Sequence, residues 1–308
     1  MSLTINTNPT ATAAAFGLSH NNNALQKSLT RLSSGQRIVE SSDDAGGLAV
    51  SMRLQAQSNR IQGVRSNVTN ALSFMQVQDG ALKTAGSIVD RMSELRTLAD
   101  DVMKNTSDIA NYNVEFQQLR QQLDNVTGEK FNGVSLFGDF GGGGASFGTA
   151  LGSASKLNVY TSSDGAATGA PVVEMGKIAL QSALQVRGAS AAGTTIVGTT
   201  YDSTTNLSAT SADTTSISSF SVSDLTQALE NVATLRAENG GISSRLQFSN
   251  QNLETKQGNI DAANSRIIDT DIATESSRFA RLNIKTQASA AMLAQANQLQ
   301  GIALSLLG

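Results

Sequence analysis

The chain has 308 residues, of which 15% are charged and 4% aromatic, with a formal net charge of -3 and neither cysteine nor tryptophan. That length can bury a sizeable core. The charge balance excludes a general nucleic-acid binder, which needs a basic field, and the missing cysteines exclude a disulfide framework and thiolate metal sites. The surface is left rich in Ala, Ser, Thr, Asn, Gln and Gly, without the dense charge that keeps monomers apart.

The opening, MSLTINTNPTATAAAF, lacks the basic segment and continuous apolar core of a secretory signal peptide. No apolar run of about 18 residues occurs, so no membrane insertion is expected, and export would need another route. Residues 1 to about 34 carry small or apolar residues at helical spacing: Ala11, Ala14, Leu18, Asn21, Leu25, Ser28 and Leu32, with Leu29 widening the stripe. This narrow alanine-rich helix is weak alone and needs a partner. Ser33-Ser34-Gly35 reads as its stop, since glycine readily takes the left-handed C-terminal position. Ser41 with Asp44 reads as a capping box for the next helix, and Asp43 and Asp44 complement its N-terminal dipole.

A long helical pattern follows from about Asp44 to Lys104. Ile61, Val64, Val68, Ala71, Met75, Gln78, Leu82, Ala85, Val89 and Met92 alternate steps of three and four, and Leu95, Ala99 and Val102 continue after a one-residue shift. At 1.5 Å per residue such a helix is roughly 90 Å long, which points to an extended bundle. Asn105 to Asp108 breaks the pattern. A second helix is expected from about Ile109 to Val126 through Phe116, Leu119, Leu123 and Val126.

The centre differs in kind. Gly141 to Gly144 read as flexible linker, since no Lys-Ser/Thr follows to make a phosphate loop. Lys156–Tyr160 and Pro171–Met175 read as short strands, Ile178–Val186 as strand or short helix, and 188–221 as an irregular surface insertion. Helical patterning returns at Ser223-Asp224 with Leu225, Leu229 and Val232, and meets a fault at Asn239-Gly240-Gly241. It resumes through Ile242, Leu246, Ser249, Leu253, Lys256, Ile260, Ala263 and Ile267 as a natural antiparallel partner for the first long helix. A last thin stripe, Met292, Ala296, Leu299, Ala303 and Leu306, closes a nearly palindromic order.

No catalytic constellation is present. His20 is the only histidine and reads as a polar helix-face residue rather than a general base. Asp269, Asp271 and Glu275 read as complements of a helix dipole rather than a cation site. No cofactor or metal is expected.

The residues around the first connector carry a further signal. Arg31-Leu32-Ser33-Ser34-Gly35, then Arg37-Ile38, then Asp43-Asp44-Ala45 and Leu48-Ala49 resemble the N-terminal signature of bacterial flagellin. Gln36, Val39-Glu40 and Gly46 depart from its usual residues. Ile5 to Asn8, Phe131-Asn132-Gly133-Val134 and Ser265 to Ala273 also look like segments of that family. The resemblance covers about 1–137 and 222–308.

It implies a mainly α fold with a β-rich central insertion: an elongated antiparallel helical bundle or coiled coil, built from both chain ends and self-assembling into a helical filament. The implied domains are 1–42 with 269–308 as a terminal coiled-coil core, 43–182 with 222–268 as a long-helix bundle with β-hairpins, and 183–221 as a variable surface insertion. Leu18, Leu25, Leu29, Leu32, Met292, Leu299 and Leu306 would pack subunits. Arg31, Ser33, Ser34, Gly35, Arg37, Asp43 and Asp44 would form the inter-domain connector. Identical subunits, the flagellar export apparatus, an export chaperone, the filament cap and hook-associated proteins are the implied partners, at an extracellular filament. A host Toll-like receptor would read a surface like that of Arg91, Leu95 and Glu115, although Asp90 and Ser93 depart from the usual residues there. A hook–filament junction protein has similar ends, and a helical signalling module such as a chemoreceptor hairpin would share the antiparallel heptads. The latter gives no reason for apolar stripes at both termini.

Overall fold

The computed structural model describes residues 7–138, 156–163, 171–178, 180–184, 207 and 216–305, with side chains as far as 298. The chain divides into two compact units, Met1–Asn59 with Lys256–Gly308, and Arg60–Thr255. In chain order the elements are α1 (Pro9–Ser34), α2 (Ala45–Ala99), α3 (Thr106–Thr127), β1 (Lys130–Phe131), β2 (Val134–Ser135), β3 (Lys156–Tyr160), β4 (Val172–Gly176), α4 (Leu180–Ala183), α5 (Val222–Ile268) and α6 (Ile272–Ser305). The fold is mainly α, with helices from both chain ends and a small strand-containing middle.

Within the Arg60–Thr255 unit, α2 and α5 run antiparallel. Asp79 pairs with Arg236 (3.0 Å), and the Asn239 amide donates to the Met75 carbonyl (3.0 Å). The expected α2 stripe is the buried one: Ile61, Val68, Met75, Gln78, Leu82, Val89, Met92 and Leu95 are all essentially inaccessible. Burying each large apolar side chain contributes about 1.5–3 kcal/mol relative to leaving it in water. From α3, Phe116, Leu123 and Val126 complete this core, with Phe116 against Phe220 at 5.5 Å between ring centroids.

The strands are as short as their composition suggested. Asn132 and Gly133 both have positive φ (48° and 80°), the mirror-image turn that suits a two-residue hairpin loop between β1 and β2. β3 pairs antiparallel with β4 in the register Asn158↔Glu174. Ile178 makes one parallel bridge with Phe137 before the single turn of α4. The buried Gln78 amide donates to the Leu136 carbonyl (2.7 Å), tying this β region to the middle of α2.

Several expectations are corrected. Val102 is 96% exposed, because α2 ends at Ala99 and Asn105 with Asp108 forms a capping box that starts α3 afresh. The glycines after Asn239 do not interrupt α5, which runs unbroken past them while Asn239 is held by α2. Ala228 rather than Leu229 lies in the seam. Beyond Leu253 the stripe passes through Gln257 and Asn264, not Lys256 and Ala263, because two successive steps of four shift its phase. Within 183–221, Ala183, Leu184, Leu207, Ile217 and Phe220 are core residues. Residues 185–206 and 208–215, and Gly141 to Gly144, lie outside the described residues.

Candidate assembly site

The connector at the end of α1 is built by backbone geometry. Gly35 takes φ 70°, and its N–H closes the helix on the Arg31 carbonyl (2.9 Å). A residue with a Cβ would be strained in that conformation. The chain then runs as a short antiparallel strand beside the break between α5 and α6. Gln36 bridges Asp269, the Thr270 N–H donates to the Gly35 carbonyl (2.9 Å), and the Arg37 N–H donates to the Ile268 carbonyl. The Arg37 guanidinium adds a bond to the Ile267 carbonyl (2.8 Å). One strand-like clip therefore joins the two interhelical breaks of the Met1–Asn59 and Lys256–Gly308 unit.

The two adjacent aspartates do different work. Asp43 is turned back onto α1, where it accepts from Lys27 (2.8 Å) and lies 3.6 Å from Arg31, with its side chain 7% exposed. The Lys27 hydrogen bond holds the Asp43 carboxyl below its ordinary pKa against the opposing effect of burial, with help from the Val39 N–H. Asp44 caps α2: its carboxylate accepts the Gly47 N–H at 2.8 Å. The expected Ser41–Asp44 capping box is therefore replaced by a cap from Asp44 alone, one residue before Ala45. A Cβ at Gly47 would run into the Asp44 carboxylate and stand 2.8 Å from the end of the Ile38 side chain, so both side chains would have to shift and the Asp44 cap with them. Ile38 is the buried apolar pin of the connector (3% exposed). The Ser34 hydroxyl accepts the Gln36 N–H (3.2 Å), and Ser33 is exposed.

Helices α1 and α6 pack against each other along a thin antiparallel seam. The predicted α1 positions Ala11, Ala14, Leu18, Asn21, Leu25, Ser28 and Leu32 are its buried or half-buried stripe. Its polar members have partners on α6: Asn21 donates to Ser289 (2.8 Å) and Ser28 to Glu275 (2.5 Å). The α6 stripe is Glu275, Phe279, Leu282, Thr286, Ser289, Leu293 and Ala296, a strict alternation of four and three. Met292 is 66% exposed, so Leu293 takes the place assigned to it. Leu29, at 55% exposed, likewise lies off this seam. Phe16 (73%) and Ile284 (66%) also point away from it, so both helices carry a second, uncovered apolar face. The Leu299 side chain and Leu306 lie outside the described residues.

The three carboxylates at the start of α6 have separate partners: Asp269 bonds Ser265, Asp271 caps α6 through Ala273 and Thr274, and Glu275 holds Ser28. Among the described residues no cluster of acidic or histidine side chains has the arrangement of a metal site. His20 is an exposed residue of α1.

On the other unit, Arg91 pairs with Glu115 (2.8 Å) and Glu94 (2.7 Å), an exposed bridge from α2 to α3. Leu95 is fully buried beneath it and is therefore not part of that surface. Residue periodicity held the signal: Leu95 follows Met92 in the core stripe. Sequence reasoning also missed Arg120, which is wholly buried. Its guanidinium donates to the Leu207 carbonyl (3.2 Å) and stacks over Phe220 at 5.2 Å.

Two chain ends brought together along a thin seam, with apolar residues left on their outer faces, define a self-associating helical structural protein. The family comparisons are specific. Residues 5–140 match the bacterial flagellin N-terminal helical region, and residues 222–307 match the bacterial flagellin C-terminal helical region. The flagellin of Bacillus subtilis (strain 168) is 31% identical over 96% of this chain and 96% of its own length. That of Halalkalibacterium halodurans is 32% identical over 98% and 99%. A crystal structure of Bacillus cereus flagellin aligns at 22% identity with a TM-score of 0.42, covering 65% of this chain and 94% of that one. The chain belongs to the bacterial flagellin family. It is a structural subunit that assembles with identical copies into the flagellar filament, the propeller of swimming motility. The junction-protein and signalling-module readings are not favoured.

Proposed function

We propose that the α1–α6 pair is the filament's inner assembly element, and that its outer apolar faces are completed by neighbouring subunits. The observation that carries this is the pairing of a thin, partly polar seam with uncovered Phe16, Leu29, Ile284 and Met292. A lone pair with so little buried surface does not offset its ordering entropy, so the ends fold fully only against other copies. Residues 1–42 with 269–308 form the inner core, 43–182 with 222–268 the surrounding helical bundle, and 183–221, apart from its core residues Ala183, Leu184, Leu207, Ile217 and Phe220, the variable part. The subunit leaves the cell through the flagellar export channel. An export chaperone covers α6 on the way, and the filament cap and hook-associated proteins guide insertion at the extracellular tip. Arg91 and Glu115 form the surface offered to a host Toll-like receptor. The protein has no catalytic role and needs no cofactor.

Purified chain incubated with short filament seeds and imaged by negative-stain electron microscopy tests the assembly role. Deleting Leu299 to Gly308 is expected to abolish elongation while the 44–267 helices keep their circular dichroism melt. Filaments of normal length from the truncated chain would overturn the reading.

A further inference from the structure

The α2–α3 turn of the Arg60–Thr255 unit holds two apolar side chains in open solvent, Val102 at 96% and Met103 at 88% exposure. The turn is well closed. The Met103 N–H bonds the Asp101 carboxylate and the Lys104 N–H bonds the Asp101 carbonyl (both 3.0 Å), and the Asn105–Asp108 capping box follows at once. Local geometry therefore gives no reason for a valine and a methionine to face outward, and removal from water on association gives one.

The same unit contains an open groove of about 560 Å³ between α5 and the ends of the β3–β4 ribbon, lined by Thr161, Pro171, Gly241, Arg245, Phe248 and Asn252. Phe248 is 71% exposed on its wall. The groove is remote from the turn. The end of α2 meets the start of α5, where Arg96 donates to the Phe220 carbonyl, and the groove lies roughly 35 Å further along α5 at 1.5 Å per residue. The turn cannot reach the groove of its own molecule. One charge pair is available across such a contact: Asp101 precedes Val102 and Arg245 stands in the groove with one nitrogen on the Val172 carbonyl (3.3 Å), while Asp100 is already paired with Arg96 and Lys104 ends the turn.

We propose that the Val102–Met103 turn of one subunit seats in the Phe248 groove of a second copy of this chain, with Asp101 facing Arg245. Knob and groove are different patches of one surface, so the contact is heterologous, the head-to-tail kind that a helical filament requires. The inference rests on the assembly reading above and names one of its contacts.

The chain has no cysteine, so introduced thiols are the only ones present. Val102→Cys chains and chains with Ser244→Cys, a position on the groove lining, are mixed, polymerised from seeds and treated with a short bis-maleimide. A cross-linked dimer is expected from the mixed filaments at least tenfold above the level from the same mixture left unassembled, and from neither variant alone. In parallel, Met103→Asp is expected to slow seeded elongation at least tenfold with an unchanged melting curve. Asp101→Arg combined with Arg245→Asp is expected to elongate faster than either single variant. Normal filaments with no cross-link, or unimpaired elongation of Met103→Asp, would overturn this contact and leave the assembly reading intact. Failure of the unmodified chain to elongate seeds would overturn both.

Discussion

The α1–α6 pair and the core of the Arg60–Thr255 unit use the same three-four spacing to opposite ends. In the core, Ile61, Met75, Leu82, Met92, Leu95, Phe116 and Leu123 are at 1% exposure or less, so helix faces, aromatic rings and the β region close over one another. Along α1 and α6, Ser28, Glu275 and Ala296 are the only described residues of the two stripes below a tenth exposed, and Phe16, Ile284 and Met292 face out. One region is complete within the chain. The other is half of an interface. Spacing alone does not separate them; the size of the side chains on the stripe does, since alanine and serine bury little area and leave the large residues for an outside partner.

The comparison breaks most sharply at Phe116. Phe116→Ala is expected to destabilise the core unit by about 3–5 kcal/mol, read as a shift of the urea midpoint. A loss below about 1 kcal/mol would mean that this core is not as tightly closed as its burial indicates. On the terminal pair, Met292→Ala and Leu293→Ala separate the outer face from the seam. Met292→Ala is expected to leave the free chain within about 0.5 kcal/mol of the unaltered one yet raise the critical concentration for assembly severalfold. Leu293→Ala is expected to weaken both, and identical behaviour of the two would dissolve the distinction between faces.

A smaller effect is expected at Gly240, where a Cβ would meet nothing within 4 Å and the residue lies inside α5. Gly240→Ala is expected to stabilise by about 1 kcal/mol, through helix propensity and a less flexible unfolded chain. Destabilisation would show that the helix needs flexibility there.

The smallest effect is a pH dependence in the first turn of α6. Bonds from the Thr274 hydroxyl and backbone, and from the Ala273 N–H, hold the Asp271 carboxyl below its ordinary value of 3.8. A carboxylate lowered on folding contributes stability that is present above the unfolded value and disappears as pH falls through the folded one. Amide exchange at Thr274 is therefore expected to be flat from neutral pH to about 4, once the intrinsic pH dependence is removed, and to accelerate below that. Asp271→Asn should remove the acid step.

Much of this molecule is legible from residue order. The α2 stripe, the strand at Lys156–Tyr160, the strand read at Pro171–Met175 and found one residue later, the Gly35 stop and the α1 stripe all follow from local rules, because each depends on spacing or on one residue's backbone freedom. Glycine punctuation misled at Asn239-Gly240-Gly241, where a cost of about 1 kcal/mol per glycine is outweighed by the packing of α5 on either side of the fault. Phase misled at Met292 and Lys256, where two apolar or amphipathic neighbours compete for one seam position and only the partner helix decides between them. Arg120 gave no signal at all, since nothing local distinguishes a buried arginine from a solvated one.

The sequence by itself determined where the long helices lie, though not where α2 ends, where the two ends resemble each other, and the family to which the chain belongs, through the connector motif. Only the tertiary structure decided which aspartate caps and which pairs, since Asp43 and Asp44 are chemically alike and differ in whether Lys27 and Arg31 lie within reach. Tertiary structure also decided that Leu95 belongs to the core while Val102, seven residues on, stands in water. Burial depends on what other elements cover, and that is a property of the packed chain rather than of its periodicity.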